Sequence, residues 1–139
     1  SEDLSNWYIR RNRKRFWDSE MTLSKESVYI TTYEVLVGLS KLIAPITPFI
    51  SEEMYQNLTG EESVHLAEYP EVDEALIDLP LEEKMDLVRE IIRLGRNGRE
   101  EAKIKVREPL LEVYLDGKLK EKIEDLVPLI LEELNVKEV

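Results

Sequence analysis

The chain has no cysteine. Disulfides, thiolate zinc sites and thiol catalysis are therefore excluded. A single histidine, His65, cannot build a histidine cluster. With no second His or Cys to work with, it reads as a hydrogen-bonded structural residue. No apolar run approaches the roughly 20 residues that span a bilayer, and no signal peptide opens the chain. The expectation is a cytoplasmic protein with no membrane partner. Basic charge is in the minority: 19 Lys and Arg against 30 Asp and Glu leave a net charge of −11. That balance argues against a general nucleic-acid binder, whose domain is usually basic. A local basic site stays possible, because exposed charges more than about 8–10 Å apart are largely screened at physiological salt. No Ser/His/Asp set, phosphate loop or metal-ligand cluster is visible, so nothing in the residue pattern supports catalysis. Internal repeats and low-complexity segments are also absent.

What is present suffices for one ordinary domain, or a domain with a small appendage: 139 residues, 42% of them hydrophobic. Charged residues make up 35%, which suggests salt-bridge-laced helices and a heat-adapted source. Helix signal begins at about Leu4 with no leader, which suggests a piece of a longer chain.

The stretch from Leu4 to Trp17 carries five basic residues in the six positions 10–15 and four aromatics in the eleven positions 7–17. Wound at about 100° per residue, it sorts itself. Leu4, Trp7, Tyr8, Ile9, Asn12 and Phe16 share one broad side, expected to be core. Arg10, Arg13, Lys14 and Trp17 share the other. Arg11 and Arg15 lie along the apolar side, where each must pair with a carboxylate or snorkel outward.

This first helix is expected over residues 4–18. A second is expected over 25–44, capped by Ser24, widely buried and ended by Pro45. Thr47 and Pro48 start a short third helix, with Glu52 and Glu53 near the positive end of its dipole. It should stop near Leu58, where Gly60 can supply a left-handed turn. Residues 61–79 form a long acidic connection. Ser63 to Leu66 is expected to be extended, and Val64, Leu66, Leu76 and Ile77 to be buried. Pro80 starts a fourth helix over 81–103 with a core stripe of Leu81, Met85, Val88, Ile91 and Ile92. Gly95 and Gly98 within it suggest either close approach of another backbone or a kink. Then Leu110–Leu115 reads as a strand, Asp116-Gly117 as a turn, 119–134 as one amphipathic helix with an irregularity at Pro128, and 135–139 as a second strand. Strands joined through a helix are most naturally parallel, so this end reads as a βαβ-like appendage.

Three basic segments are candidate sites. Arg10, Arg13, Lys14 and Trp17 offer paired N–H donors for phosphate and a ring for stacking. On spacing alone, a solvated face paired with the acidic remainder is favoured over a site. Arg89, Arg93, Arg96, Arg99 and Lys103 form a stripe about 120° wide, which a sugar-phosphate backbone could follow. Pairing with the acidic connection is an equal alternative. Lys103-Ile104-Lys105-Val106-Arg107 suggests an extended segment with one basic side, or an edge strand guarded by Lys.

Several of these segments carry a resemblance. Asn6-Trp7-Tyr8-Ile9-Arg10-Arg11 with Arg13-Lys14-Arg15-Phe16-Trp17 resembles the opening helix of the anticodon-binding domain of class I isoleucyl-tRNA synthetases. Leu42 to Glu53, with Ala44-Pro45-Ile46-Thr47-Pro48-Phe49, resembles a signature shared with the valyl and leucyl enzymes. Ser63-Val64-His65-Leu66 followed by Pro70 resembles the isoleucyl branch. So do Leu94-Gly95-Arg96 with Arg99 and the segment Ile104 to Leu110. The resemblance covers nearly the whole chain. It implies a mainly α fold: an antiparallel helix bundle over 1–106 that packs against the anticodon stem-loop, then the start of a small α/β junction domain over 107–139. It implies tRNA(Ile) and the rest of the synthetase chain as partners of a monomer. The nucleic-acid-binding residues expected are Arg10, Arg13, Lys14, Trp17, Arg93, Arg96, Arg99 and Lys103. The family's catalytic signatures, His-Ile-Gly-His and Lys-Met-Ser-Lys-Ser, are missing, and Lys84-Met85 continues as Asp86-Leu87. No amino-acid activation, no metal site and no cofactor are expected in this piece; ATP and Mg would serve the parent enzyme. The alternatives are the anticodon-binding domain of a valyl or leucyl enzyme, or a helical protein-interaction domain without nucleic acid, which the acidic net charge favours.

Overall fold

The computed structural model describes residues 3–139. The chain divides into two compact units, one ending at Val72 and the other beginning at Asp73. It is mainly helical, with one small two-stranded sheet. No helix among the described residues is long and apolar enough to cross a membrane.

The first unit opens with π-helical winding over Asp3–Ile9 that runs directly into α1, Arg10–Phe16. The helix expected over 4–18 is thus present but wound more loosely in its first half, and it ends at Phe16. Trp17 is its C-cap, donating its amide to Arg13 O at 3.2 Å. The expected sorting appears as half-burial: Leu4, Trp7, Tyr8, Ile9, Asn12 and Phe16 are all intermediate, while Trp17 is 84% exposed.

Helix α2 spans Leu23–Ile43. Its N-cap is Thr22, whose hydroxyl accepts from Lys25 N at 3.2 Å, rather than Ser24. Ser24 lies inside the first turn, where its oxygens accept from Arg15, as described below. The expected wide burial of α2 does not occur. Val28 and Ser40 are buried, whereas Tyr29, Tyr33, Val35 and Leu42 are exposed.

Helix α3, Pro48–Thr59, starts at Thr47-Pro48 as expected, and Gly60 closes it at φ +72°, donating to Gln56 O at 2.9 Å. The Thr47 hydroxyl donates back to Ile43 O at 3.2 Å and does not cap α3. The segment expected to be extended is instead a 3-10 turn, Val64–Leu66. Glu52 explains why: its carboxylate accepts from Ser63 Oγ at 3.0 Å and Val64 N at 2.8 Å, which turns the chain and drops Val64 into a small core with Ala44 and Tyr55. Of the connection's apolar residues only Val64 is buried. Leu66, Leu76 and Ile77 are exposed, contrary to expectation. His65 is exposed too, and its only hydrogen bond among the described residues is from its backbone amide to Ser63 Oγ.

The second unit is built on α4, Leu79–Glu101, capped by Asp78, which accepts from Leu81 N at 3.0 Å. Its apolar stripe narrows to Val88, Ile91 and Ile92, with Met85 half-buried and Leu81 exposed. The single helix expected over 119–134 is two: α5, Gly117–Lys122, and α6, Val127–Leu134, separated by a 3-10 turn. Pro128 causes the division, since it lacks an N–H and fits a first helical turn better than an interior. Ile123, Ile130 and Leu134 are buried in this unit, where α6 packs on α4. A Cβ on Gly95 would lie 2.5 Å from Leu134 Cδ1. The glycine therefore admits a side chain of this same unit, while Gly98 faces open space. Strands β1, Leu110–Glu112, and β2, Val136–Glu138, pair in parallel with Leu110 opposite Val136 and Glu112 opposite Glu138.

Candidate nucleic-acid interface

The basic run of α1 separates into residues that hold the fold and residues that do not. Arg15 donates to Ser24 O at 2.6 Å, Ser24 Oγ at 2.8 Å, Ser27 Oγ at 3.1 Å and Asn12 Oδ1 at 2.8 Å. It thereby ties α1 to the first turn of α2. A carboxylate or a route to solvent was expected, but neutral hydroxyl and carbonyl oxygens satisfy the guanidinium fork equally well. Arg11 lies over the Trp7 ring, 5.2 Å from its centroid, where the ring face attracts a cation.

Arg10, Arg13 and Lys14 point outward. Arg10 Nε donates to Asn6 O at 2.9 Å, so its position is set along the helix. Arg13 and Lys14 are exposed and make no ion pair among the described residues. Beside them lies a cleft of about 230 Å³ between α1 and α2, lined by Ile9, Arg13, Phe16, Trp17 and Thr32. Its wall is fixed: Phe16 meets Tyr29 edge-on at 5.2 Å and 78°. The cleft is smaller than pockets for drug-sized ligands, typically ~300–1,000 Å³. Its size suits one flat ring system, with an indole at its rim and an uncompensated guanidinium within reach. Arg13 and Trp17 were legible candidates because both face away from the core. Ile9 and Thr32 were not. Thr32 is a polar residue in the middle of α2, and only the crossing of α1 over α2 makes it part of a site.

The stripe on α4 is different. Arg89 approaches Asp86 at 4.0 Å. Arg93 makes two bonds to Glu90, at 2.7 and 2.6 Å; this holds the Glu90 carboxyl below its usual range and raises the arginine. Arg96 pairs with Glu133, whose side chain is 3% exposed. Arg99 is itself buried, and its guanidinium donates to the carbonyls of Leu134 (2.6 Å), Glu108 (3.0 Å), Lys105 (3.1 Å) and Asn135 (3.3 Å). Arg99 is thus committed to the interior, and its geometry argues against the phosphate contact expected of it. The physical reason is that four converging main-chain carbonyls need a donor, and a planar fork with five N–H groups supplies it. The counter-charges expected from the acidic connection come instead from α4 itself and from α6. Lys103 remains exposed, just past the end of α4. The two cationic segments belong to different units.

Comparison with known proteins adds an independent finding. Residues 1–115 match the family model described as the anticodon-binding domain of tRNA ligase. An isoleucine–tRNA ligase of Chlamydia trachomatis serovar D is 52% identical over 143 residues, covering 99% of this chain and 14% of that protein. One of Clostridium acetobutylicum is 50% identical over 145 residues, again 99% of this chain and 14% of the relative. An isoleucine–tRNA ligase 2 of Bacillus cereus is 46% identical over 138 residues, 98% of this chain and 13% of the relative. The chain therefore spans about one-seventh of the length of the curated relatives it matches.

Proposed function

Since the chain belongs to the family of anticodon-binding domains of tRNA ligases, we propose that it binds the anticodon stem-loop of tRNA(Ile), positioning it for aminoacylation by a catalytic domain outside these 139 residues. The observation that carries this reading is the outer face of α1. It combines exposed Arg13 and Lys14, both without an ion pair among the described residues, with an exposed Trp17 beside a ring-sized cleft. Cations anchor phosphates without regard to sequence, and an indole stacks on an unpaired base. Stem and loop supply one of each.

Isoleucine as the amino acid follows from the names of the relatives, not from any atom of this chain. The parent is proposed to be an ATP- and Mg-dependent ligase working as a cytoplasmic monomer, with this piece contributing only tRNA contacts. The division into a helix bundle, 1–106, and the beginning of a junction domain, 107–139, is likewise proposed, as is antiparallel packing of the bundle. Arg93, Arg96 and Lys103 remain proposed contacts; Arg93 and Arg96 would first have to leave Glu90 and Glu133.

The test is a salt titration of binding to the anticodon stem-loop. The Arg13→Gln/Lys14→Gln variant should weaken binding alike for different loop sequences and lower the salt slope by roughly 0.7–0.9 for each phosphate no longer neutralised. A slope equal to that of the unaltered chain refutes the α1 interface.

A further inference from the structure

The second unit carries a basic segment that the α4 stripe does not account for. Lys103, Lys105 and Arg107 supply three cations in five positions, with no carboxylate among them. All three are exposed, and none makes an ion pair among the described residues. Lys118, Lys122 and Lys137 are also without one. On α4, by contrast, the arginines are taken up by carboxylates and carbonyls.

The segment is not the extended strand its alternation suggests. It is a turn held from beneath. Glu108 N donates to Lys105 O at 2.9 Å, closing the bend. Arg99 donates to the carbonyls of Lys105 and Glu108, and Asn135 Nδ2 donates to Val106 O at 3.0 Å. At its start the backbone follows a Schellman pattern: Lys103 N donates to Glu100 O at 3.0 Å and Ile104 N to Arg99 O at 2.8 Å. The residue in the left-handed position is Lys103, at φ +57°. Glycine usually fills that position because it carries no Cβ. A lysine there is conformationally strained, and strain of this kind concentrates where function retains it. With the carbonyls of Lys105, Val106 and Glu108 bonded inward, the turn presents cationic side chains on a held backbone.

We propose that the turn 103–107 is a second contact for the phosphate backbone of tRNA, made by Lys103, Lys105 and Arg107, with Arg99 as a positioning residue that holds the turn and does not itself reach the nucleic acid. This inference rests on the reading of the chain as a tRNA-binding module, and adds a site in the second unit that is independent of the α1 face.

The test uses the full 139-residue chain and a labelled tRNA(Ile) transcript, with anisotropy followed over a salt series. Lys105→Gln/Arg107→Gln should lower the salt slope by roughly 0.7–0.9 for each phosphate released and leave the thermal melt unchanged. Lys103→Gly should move two readouts in opposite directions: the melting temperature rises as strain is relieved, while tRNA binding weakens. A purely structural Lys103 would move only the first. Arg13→Gln/Lys14→Gln is measured in parallel. If it lowers the slope and the turn variants do not, the turn proposal is overturned and the α1 interface stands. If only the turn variants lower it, the turn stands and the α1 interface fails. Absence of salt-dependent tRNA binding by the unaltered chain overturns both.

Discussion

Replacement of Arg99 by methionine separates the two roles an arginine on α4 could have. Methionine keeps an unbranched stem in the buried position and removes the guanidinium. Four carbonyls lose their donor: those of Leu134, Glu108, Lys105 and Asn135. Hydrogen bonds from a charged donor contribute about 1.5–3 kcal/mol each, but the four do not add. The Leu134 bond, at 2.6 Å, is buried, so its full loss is felt; the other three are part-buried, and water can replace some of them. Removing the guanidinium also relieves its own desolvation, which offsets part of the loss. The expected cost is about 3–5 kcal/mol, in the range for removing one member of a buried charged pair. At roughly 3–5 °C per kcal/mol for a chain of this size, the melting temperature should fall by about 9–25 °C. Thermal unfolding followed by circular dichroism measures it. Arg99→Lys should lose most of the same stability, because a single ammonium group cannot fork across carbonyls from both sides of the turn and from the end of α6. A melt within about 2 °C of the unaltered chain, together with a salt slope of tRNA binding lowered by roughly 0.7–0.9, would refute the reasoning and return Arg99 to the phosphate.

Three further outcomes are expected. Trp17→Ala should leave stability within about 0.5 kcal/mol yet weaken stem-loop binding, whereas half-buried Trp7→Ala should cost about 1–3 kcal/mol, less than the ~3–5 kcal/mol of a fully buried tryptophan; chemical denaturation beside a binding isotherm distinguishes them, and equal stability losses would contradict the face assignment. Gly95→Ala should destabilise by about 1–3 kcal/mol through overpacking against Leu134, while Gly98→Ala, with open space around it, should stabilise by about 0.5–1 kcal/mol through helix propensity; a gain at both positions would mean that Leu134 yields freely. The Glu90 carboxyl, held low by its hydrogen bonds to Arg93, favours the folded state above the ordinary carboxylate range and loses that effect as pH falls through its lowered value; carboxyl NMR of Arg93→Gln should show Glu90 titrating closer to its ordinary value.

An acidic chain can carry a local cationic site because its arginines are not equivalent. Arg15 and Arg99 are spent on hydroxyls and carbonyls inside the fold, Arg93 and Arg96 on carboxylates close by. Exposed cations without an ion pair among the described residues stand close together in sequence at 13–14 and 103–107. Short-range grouping matters more than the total, since screening removes the contribution of charges more than a Debye length away.

What the sequence determined by itself was local. The two faces of the first helix, the Thr47-Pro48 start and Gly60 stop of α3, and the parallel strands at the end were legible from periodicity, capping chemistry and chain connectivity. The first two depend on residues a few positions apart, and the third on the helical connection that joins the strands. Tertiary structure decided the rest. Helical periodicity separates Arg13 from Arg11 and Arg15, but those two share one side, and yet one lies over Trp7 while the other binds the start of α2. Arg96 and Arg99 fall on the same stripe as Arg93 but are claimed by Glu133, Leu134 and Asn135, more than thirty residues away. Whether a charged side chain faces RNA or the interior depends on which acceptors the distant chain brings within hydrogen-bonding distance, and helical spacing alone carries no information about that.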